Sequence, residues 1–384
     1  MSHKISVCVL SPVLPIEKAP GGGAKRFFQD FNNYVSKKIN WNCNFIALRG
    51  EHTGSKIESI SNPFRSIFMI PKICSRYSRA KLDLIYAQDS IYCGIPALIS
   101  SRILHVPYVI HYHNSPLLIY ISDPKRSIPH KFIFSKLINF IESLVLNYSR
   151  SIIVTNNYLA SYLKDALKIR SDRIIVVPVG TDFHKNIINS SDLGLFEYPK
   201  DSFIFGYVGR LDSGKGLKVL LTSFSSVIEK LKSRDKIKLL IVGEGPERKA
   251  LEDLSRMLDL ENNIIFLGYR NDIPQILGSI DVFIYPSYAE GCPLSILEAM
   301  ALAKPVISTN IPGVNEIIQH KHNGLLVGAG RAGELMDCMI NLYSDKTLCM
   351  GLAKKAQETI FKKYDKENNL KFICRILEGS TNEL

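Results

Sequence analysis

What the chain lacks narrows its chemistry first. No apolar run is long enough to span a bilayer: IFMI, SIIV and LLIV are short, and the longest candidate, Phe132 to Leu146, is interrupted by Lys136 and Glu142. The early ISVCVL run is too short for the core of a secretory signal and no small-residue cleavage site follows it, so it reads as a first strand. The eight cysteines form no CxxC pair and no metal-like cluster. In a chain long enough to need no disulfide framework, they read as reduced thiols of a cytosolic protein. No basic segment is interleaved with aromatics, which removes nucleic acid from the expected partners. Short-period repeats and low-complexity tracts are missing as well.

What is present is basic, and unevenly so. The formal net charge is +12, and residues 1–200 hold 25 Lys+Arg against 13 Asp+Glu, while residues 201–384 balance 23 with 23. An excess confined to one half implies an anionic partner for that half alone, such as a phosphorylated substrate or an anionic membrane surface. Lys72, Arg76 and Arg79 fall at i, i+4 and i+7 of a helix expected over Pro71 to Lys81, with Arg65 and Lys81 flanking it. That face suits lipid headgroups or an acceptor's phosphates, unless it is merely solvated.

A length of 384 residues and 46% hydrophobic content fit two globular domains. Strand-like and helix-like runs alternate throughout, the signature of parallel sheets covered by helices. The fold class is therefore α/β, with two doubly wound, Rossmann-like domains in tandem. The first domain spans 1–182 and the second 203–364, with a polar, patternless linker over 183–202. The last helix, in 365–384, is expected to return to the first domain.

The densest stretch of chemistry is Tyr285 to Pro305, YPSYAEGCPLSILEAMALAKP. IDVFIYPS reads as a buried strand and SILEAMALA as a helix with Pro293 near its start. Glu290 then sits on the loop at the strand's carboxyl end and Glu298 about one turn into the helix. Free N–H groups and the positive dipole end make such a helix start a phosphate site. Two carboxylates beside it could hold ligand hydroxyls; the plainer reading is a capping Glu and a solvated Glu.

Other loops at strand ends add to this. FGYVGRLDSGKG, Phe205 to Gly216, places Gly209, Arg210 and Lys215 between a strand and a helix, as a phosphate cradle with two cations. It nearly matches a P-loop, but Gly216 stands where a Ser or Thr should hold magnesium and LLIVGEG offers no acidic strand end. PGGGAKRF, Pro20 to Phe27, brings three glycines before the first helix without GxGxxG spacing, so a dinucleotide fingerprint is not supported. His111 and His113 stand at a strand's carboxyl end, where an imidazole can bond a hydroxyl or relay a proton, or be simply structural. The turn at Gly243 and the loop at Tyr269-Arg270 end two further strands.

Taken in order, GGAKR, VPYVIHYHN, VPVGTD, GRLDSGKG, VGEGPER, IIFLGYR and EGCPLSILEAMALAKPVIS resemble the retaining glycosyltransferases of sequence family 4, over nearly the whole chain. The resemblance implies the GT-B fold, two facing Rossmann-like domains, and transfer of a sugar from a nucleotide-diphosphate donor to an acceptor hydroxyl. It implies that Glu298 binds the ribose and Glu290 the transferred sugar. Arg210 and Lys215 would neutralise the diphosphate, joined by the amides of Gly291, Cys292, Pro293 and Leu294 and faced by Gly22 and Gly23. His113 would lie near the sugar, and Tyr269 and Arg270 where the base is read. No cofactor and no obligatory metal are expected, since the nucleotide-sugar is a substrate. UDP-sugars are favoured as donors, and a glycan or lipid-linked acceptor of surface polysaccharide, lipopolysaccharide or glycolipid synthesis as partner, on the inner face of the plasma membrane. The alternatives are a soluble transferase making a small glycoside or storage glucan, and a non-catalytic nucleotide-sugar binder. The chain departs from the pattern at Lys25 (usually Glu), His111 (Thr), Val179 (Asn) and Cys292 (Phe), which bears on donor and acceptor rather than on the chemistry.

Overall fold

The computed structural model describes residues 5–11, 23–39, 41–47, 67–78, 81–113, 128–182, 202–232 and 236–381. Two compact units divide the chain, one of Met1–Pro178 with Glu367–Leu384 and one of Val179–Lys366. The second unit thus begins a few residues before the expected boundary at 182. The reason is local: Thr181 N–H donates to the Tyr364 carbonyl at 2.9 Å and Lys366 N–H to the Thr181 carbonyl at 3.3 Å, tying 179–182 to the second unit. Residues 183–201 of the expected linker lie outside the described residues.

The first unit is a parallel sheet of β1 (Ser6–Ser11), β2 (Asn42–Ala47), β3 (Leu84–Ala87), β4 (Tyr108–Tyr112), β5 (Ser151–Val154) and β6 (Ile174–Val176), in the order β2-β1-β3-β4-β5-β6. Its helices are α1 (Gly23–Lys38), α2 (Met69–Tyr77), α3 (Gly94–Leu104), α4 (Ile128–Tyr148) and α5 (Asn157–Asp165). The strands are apolar almost throughout because both faces are covered. Cys8, Leu10, Ile85, Ile110 and Ile152 pack with Ile73 of α2, Ala97 of α3, Val145 of α4 and Leu163 of α5. On the other face α1 brings Phe31 to 5.2 Å from Tyr86 and Phe28 to 5.3 Å from Phe45.

The second unit repeats the plan. Strands β7 (Phe203–Val208), β8 (Ile237–Val242), β9 (Ile264–Gly268), β10 (Val282–Tyr285), β11 (Val306–Thr309) and β12 (Leu325–Val327) are parallel, in the order β12-β11-β10-β7-β8-β9. They are covered by α6 (Leu217–Leu231), α7 (Arg248–Met257), α8 (Ile273–Ser279), α9 (Leu294–Ala301), α10 (Ala332–Ser344) and α11 (Lys346–Lys363). The last helix, α12 (Lys366–Thr381), pairs Glu367 with Lys38 at 3.3 Å and Ser380 with Ser151 at 3.4 Å, contacts within the first unit.

Each sheet starts in its interior, runs to one edge and then crosses back past its first strand. That gives one topological switch point per unit, between β1 and β3 and between β7 and β10. The same device fixes both. The Asp immediately before the returning strand accepts a backbone N–H from the first strand, Asp83 from Ser6 at 2.8 Å and Asp281 from Ile204 at 2.7 Å. In doubly wound sheets the crevice outside the carboxyl ends at such a point is where ligands bind.

Candidate functional site

At the switch point of the second unit two loops meet. The loop after β7 runs to a tight turn, Ser213–Lys215, capped by Asp212, whose carboxylate accepts the Gly214 N–H at 3.1 Å. Gly216 follows at φ +66, and a Cβ there would stand 2.0 Å from the Pro286 carbonyl oxygen. Only glycine both adopts that conformation readily and lets the turn lie against the end of β10. The loop after β10 answers with the Tyr288 N–H, which donates to the Gly214 carbonyl at 2.9 Å. Gly313 (φ +85) supports it from below, with space for a Cβ closed by the Gly291 carbonyl at 2.3 Å.

This stitching carries Lys215 to Glu290. One carboxylate oxygen, Glu290 Oε1, accepts from Lys215 Nζ at 2.5 Å, Ser287 Oγ at 2.7 Å and Tyr285 Oη at 3.0 Å. The side chains of Lys215 and Glu290 are 19% and 12% exposed, so the pair is largely shielded yet open on one side. Burial, and then the Glu290 charge, push the Tyr285 phenol well above its ordinary value, which keeps it a donor to Glu290. Four residues into α9, Glu298 is buried. Pro293, in extended conformation, caps that helix without a side-chain bond. Burial raises the Cys292 thiol to about 12, leaving it protonated rather than nucleophilic.

The remaining expected residues are distributed around these loops. Arg210 stays 71% exposed, with Nε 3.3 Å from Asp212 Oδ2, so the two cations of the cradle differ in kind: one locked on Glu290, one at the surface. Gly209 N–H donates to the Val242 carbonyl and Gly243 N–H to the Gly268 carbonyl, which aligns the ends of β7, β8 and β9. Past β9, Tyr269 is exposed and Arg270 grips Asp272 with two bonds, at 2.8 and 2.6 Å.

In the first unit, Gly23 opens α1, while Gly22, Arg65 and Arg79 lie outside the described residues. On α2, which starts at Met69 and ends at Tyr77, Lys72 and Arg76 are exposed, and Arg76 Nη2 donates to Asn44 Oδ1 at 2.7 Å. His111 is fully buried with Nδ1 2.6 Å from Tyr86 Oη, a structural role. His113, at the end of β4, has Nε2 2.9 Å from Gln88 Oε1. The two imidazoles stack at 4.0 Å and Phe27 meets both edge-on. Burial lowers His113 to about 4, so it is a neutral imidazole at neutral pH.

Sequence reasoning missed four partners. Tyr285 and Ser287 were inside the quoted stretch but read only as part of its buried strand; their signal is that they stand five and three residues before a loop carboxylate. Gln88 and Tyr86 gave none, because only the pairing of β3 with β4 brings them to the histidines.

Comparison with known proteins follows the same division. The family described as Glycosyl transferases group 1 matches residues 196–359, and Glycosyltransferase Family 4 matches residues 45–185. A UDP-Gal:alpha-D-GlcNAc-diphosphoundecaprenol alpha-1,3-galactosyltransferase of Escherichia coli is 28% identical over 324 residues, which are 79% of this chain and 81% of that protein. Among solved structures, the sucrose-phosphate synthase of Thermosynechococcus elongatus superposes with a TM-score of 0.81 at 18% identity, over 98% of this chain and 99% of the other. Anabaena HepE, solved with UDP and glucose, gives a TM-score of 0.73 at 20% identity, over 98% and 100%. The two doubly wound units are those of the GT-B fold, and the chain belongs to the group 1, family 4 glycosyltransferases.

Proposed function

We propose that the protein transfers a sugar from a nucleotide-diphosphate donor, by preference a UDP-sugar, to an acceptor hydroxyl with retention of the anomeric configuration and without an obligatory metal. The pathway would be that of a surface polysaccharide, lipopolysaccharide or glycolipid. The observation that carries this reading is the convergence of Lys215, Ser287 and Tyr285 on Glu290 at the switch point of the second sheet. A carboxylate held there by three donors presents its second oxygen to a sugar hydroxyl, while the ammonium beside it is placed for the leaving diphosphate. Arg210, exposed and weakly held, would close on the same phosphates, and the amides at the start of α9 would complete the anion site. Glu298 would take the ribose hydroxyls.

The transition state is an oxocarbenium-like sugar parting from a diphosphate, so the protein's task is to stabilise the anion that leaves. Glu290 is already committed to three donors, which suits a binding residue better than a nucleophile paired with a second carboxylate. Attack on the same face then lets the acceptor oxygen bond to C1 as the C1–O bond to the diphosphate breaks, and the hydroxyl proton passes to a departing phosphate oxygen. UDP as the nucleotide is supported by the names of the Escherichia coli relative and of the HepE complex. Thermal shift against a panel of UDP- and GDP-sugars tests the reading. UDP-sugars should raise Tm and Glu298→Gln should abolish the shift; a flat response to every nucleotide would overturn it.

A further inference from the structure

The outer helices of the first unit carry a surface that the donor site does not use. Helices α2, α3 and α4 pack side by side on one face of the sheet. Together they contain a single acidic residue, Glu142, and it is buried. Outward, α4 shows Leu137, Phe140, Leu144 and Tyr148, spaced as one stripe along a helix, with Phe140 67% exposed. Beside it α3 shows Ile99 and Ile103, one turn apart. Water-soluble surfaces seldom leave two neighbouring helices so apolar without something to cover them.

The cations flank that stripe. Lys72, Arg102 and Lys136 are exposed on the three helices. Where α4 ends, at the amino ends of β4 and β5, opens a cavity of about 910 Å³ whose walls include Arg102, Arg150, Arg170 and Arg173. Asp172, the one acid in its lining, is held by Arg170 at 3.1 and 2.7 Å. The Arg102 guanidinium lies 4.6 Å from the centre of the Tyr148 ring, so stripe and cavity meet at that residue. This end of the sheet is opposite to the carboxyl ends that carry His113.

We propose that the outer face of α3 and α4 docks the first unit on an anionic phospholipid bilayer, with the arginine-lined cavity receiving headgroup phosphate. The chemistry selects this occupant. Phe and Leu enter the acyl boundary, Tyr sits at headgroup level, and arginines reach phosphates while their stems lie on apolar surface. A second copy of the chain would set the same cations against each other with no exposed carboxylate on these helices to meet them. Helix α4 also begins near the catalytic end of the sheet and finishes at the cavity, so docking along it would hold that end close to the membrane.

Flotation of the full chain with vesicles tests the proposal. The protein should rise with phosphatidylcholine vesicles that contain phosphatidylglycerol, stay down with phosphatidylcholine alone, and be released by salt. Phe140→Ser with Leu144→Ser should weaken binding at least about ten-fold and Arg102→Gln about five-fold, with UDP-sugar binding in solution unchanged. Phe140→Trp, which keeps the apolar contact, should show emission quenched by brominated acyl chains only on anionic vesicles. Absence of binding, equal binding to neutral vesicles, unaltered binding by these variants or an unquenched Trp would each overturn it. So would a concentration-dependent dimer that the Ser substitutions dissolve. The donor reading stands or falls separately, since nucleotide binding needs no lipid.

Discussion

Lys215 is the residue whose removal the structure prices most clearly. Lys215→Met keeps the length of the stem and deletes the ammonium, leaving Glu290 with the hydroxyls of Ser287 and Tyr285 as partners. Removing one member of a fully buried pair costs about 3–5 kcal/mol. With side chains 19% and 12% exposed, solvent screens part of that, and we expect about 2–3 kcal/mol. In a unit of this size that is a fall in Tm of roughly 5–10 °C. Glu290→Gln should cost less, because the amide oxygen still accepts from Lys215, whose ammonium, left without its countercharge, belongs to the more exposed of the two side chains. The double variant should then be more stable than the sum of the two losses implies, with a coupling of at least about 1 kcal/mol. Urea unfolding followed by circular dichroism measures all four proteins. Additive losses, or a Lys215→Met variant within about 0.5 kcal/mol of wild type, would show that the 2.5 Å contact carries no interaction and would refute the reasoning.

Three further outcomes follow from buried groups and backbone. His113 titrates at about 4 instead of 6.5, so the folded state resists protonation, and stability present above pH 6.5 is lost as pH falls toward 4. His113→Asn should therefore gain on wild type by about 2 kcal/mol between about pH 7.5 and 5 in paired unfolding curves. Glu142 runs the other way: burial raises it to about 7, against the bond from Ser90 at 2.7 Å, so stability falls as pH rises through 4.5 to 7. Glu142→Gln should gain about 2–3 kcal/mol on wild type between about pH 5 and 8, and a flat difference would mean the carboxyl is not neutral in the fold. Gly216→Ala should cost at least about 2 kcal/mol and shift the Lys215 turn, through the left-handed backbone and the Pro286 carbonyl at 2.0 Å. An unchanged Tm for that variant would show that the two loops are not in contact there.

Much of this was legible in the chain itself. Strands such as LIYA and VFIY, apolar on both faces, announce a buried parallel sheet, and the structure gives them as Leu84–Ala87 and Val282–Tyr285. The loops with phosphate chemistry also fell at carboxyl strand ends, as alternating elements require. What could not be read was contact across the fold. The pair Lys215–Glu290 spans 75 residues and exists because β10 returns beside β7, a fact of strand order and not of spacing. For the same reason Arg210 and Lys215, five residues apart, looked equivalent, whereas one is shielded against a carboxylate and the other faces solvent. His113 belongs with these cases: its neutral state depends on burial among Phe27, His111 and Gln88, which no local pattern contains.

The central claim is that the switch point of the second unit holds a nucleotide-diphosphate sugar and promotes its cleavage. The direct measurement is release of UDP from UDP-sugars by the purified chain, followed by chromatography, for wild type and for folded Lys215→Ala and Arg210→Ala. The account predicts steady release by wild type and a loss of about 10²–10³-fold in each variant, as for one preorganised donor removed. Release at equal rates by all three proteins would contradict it.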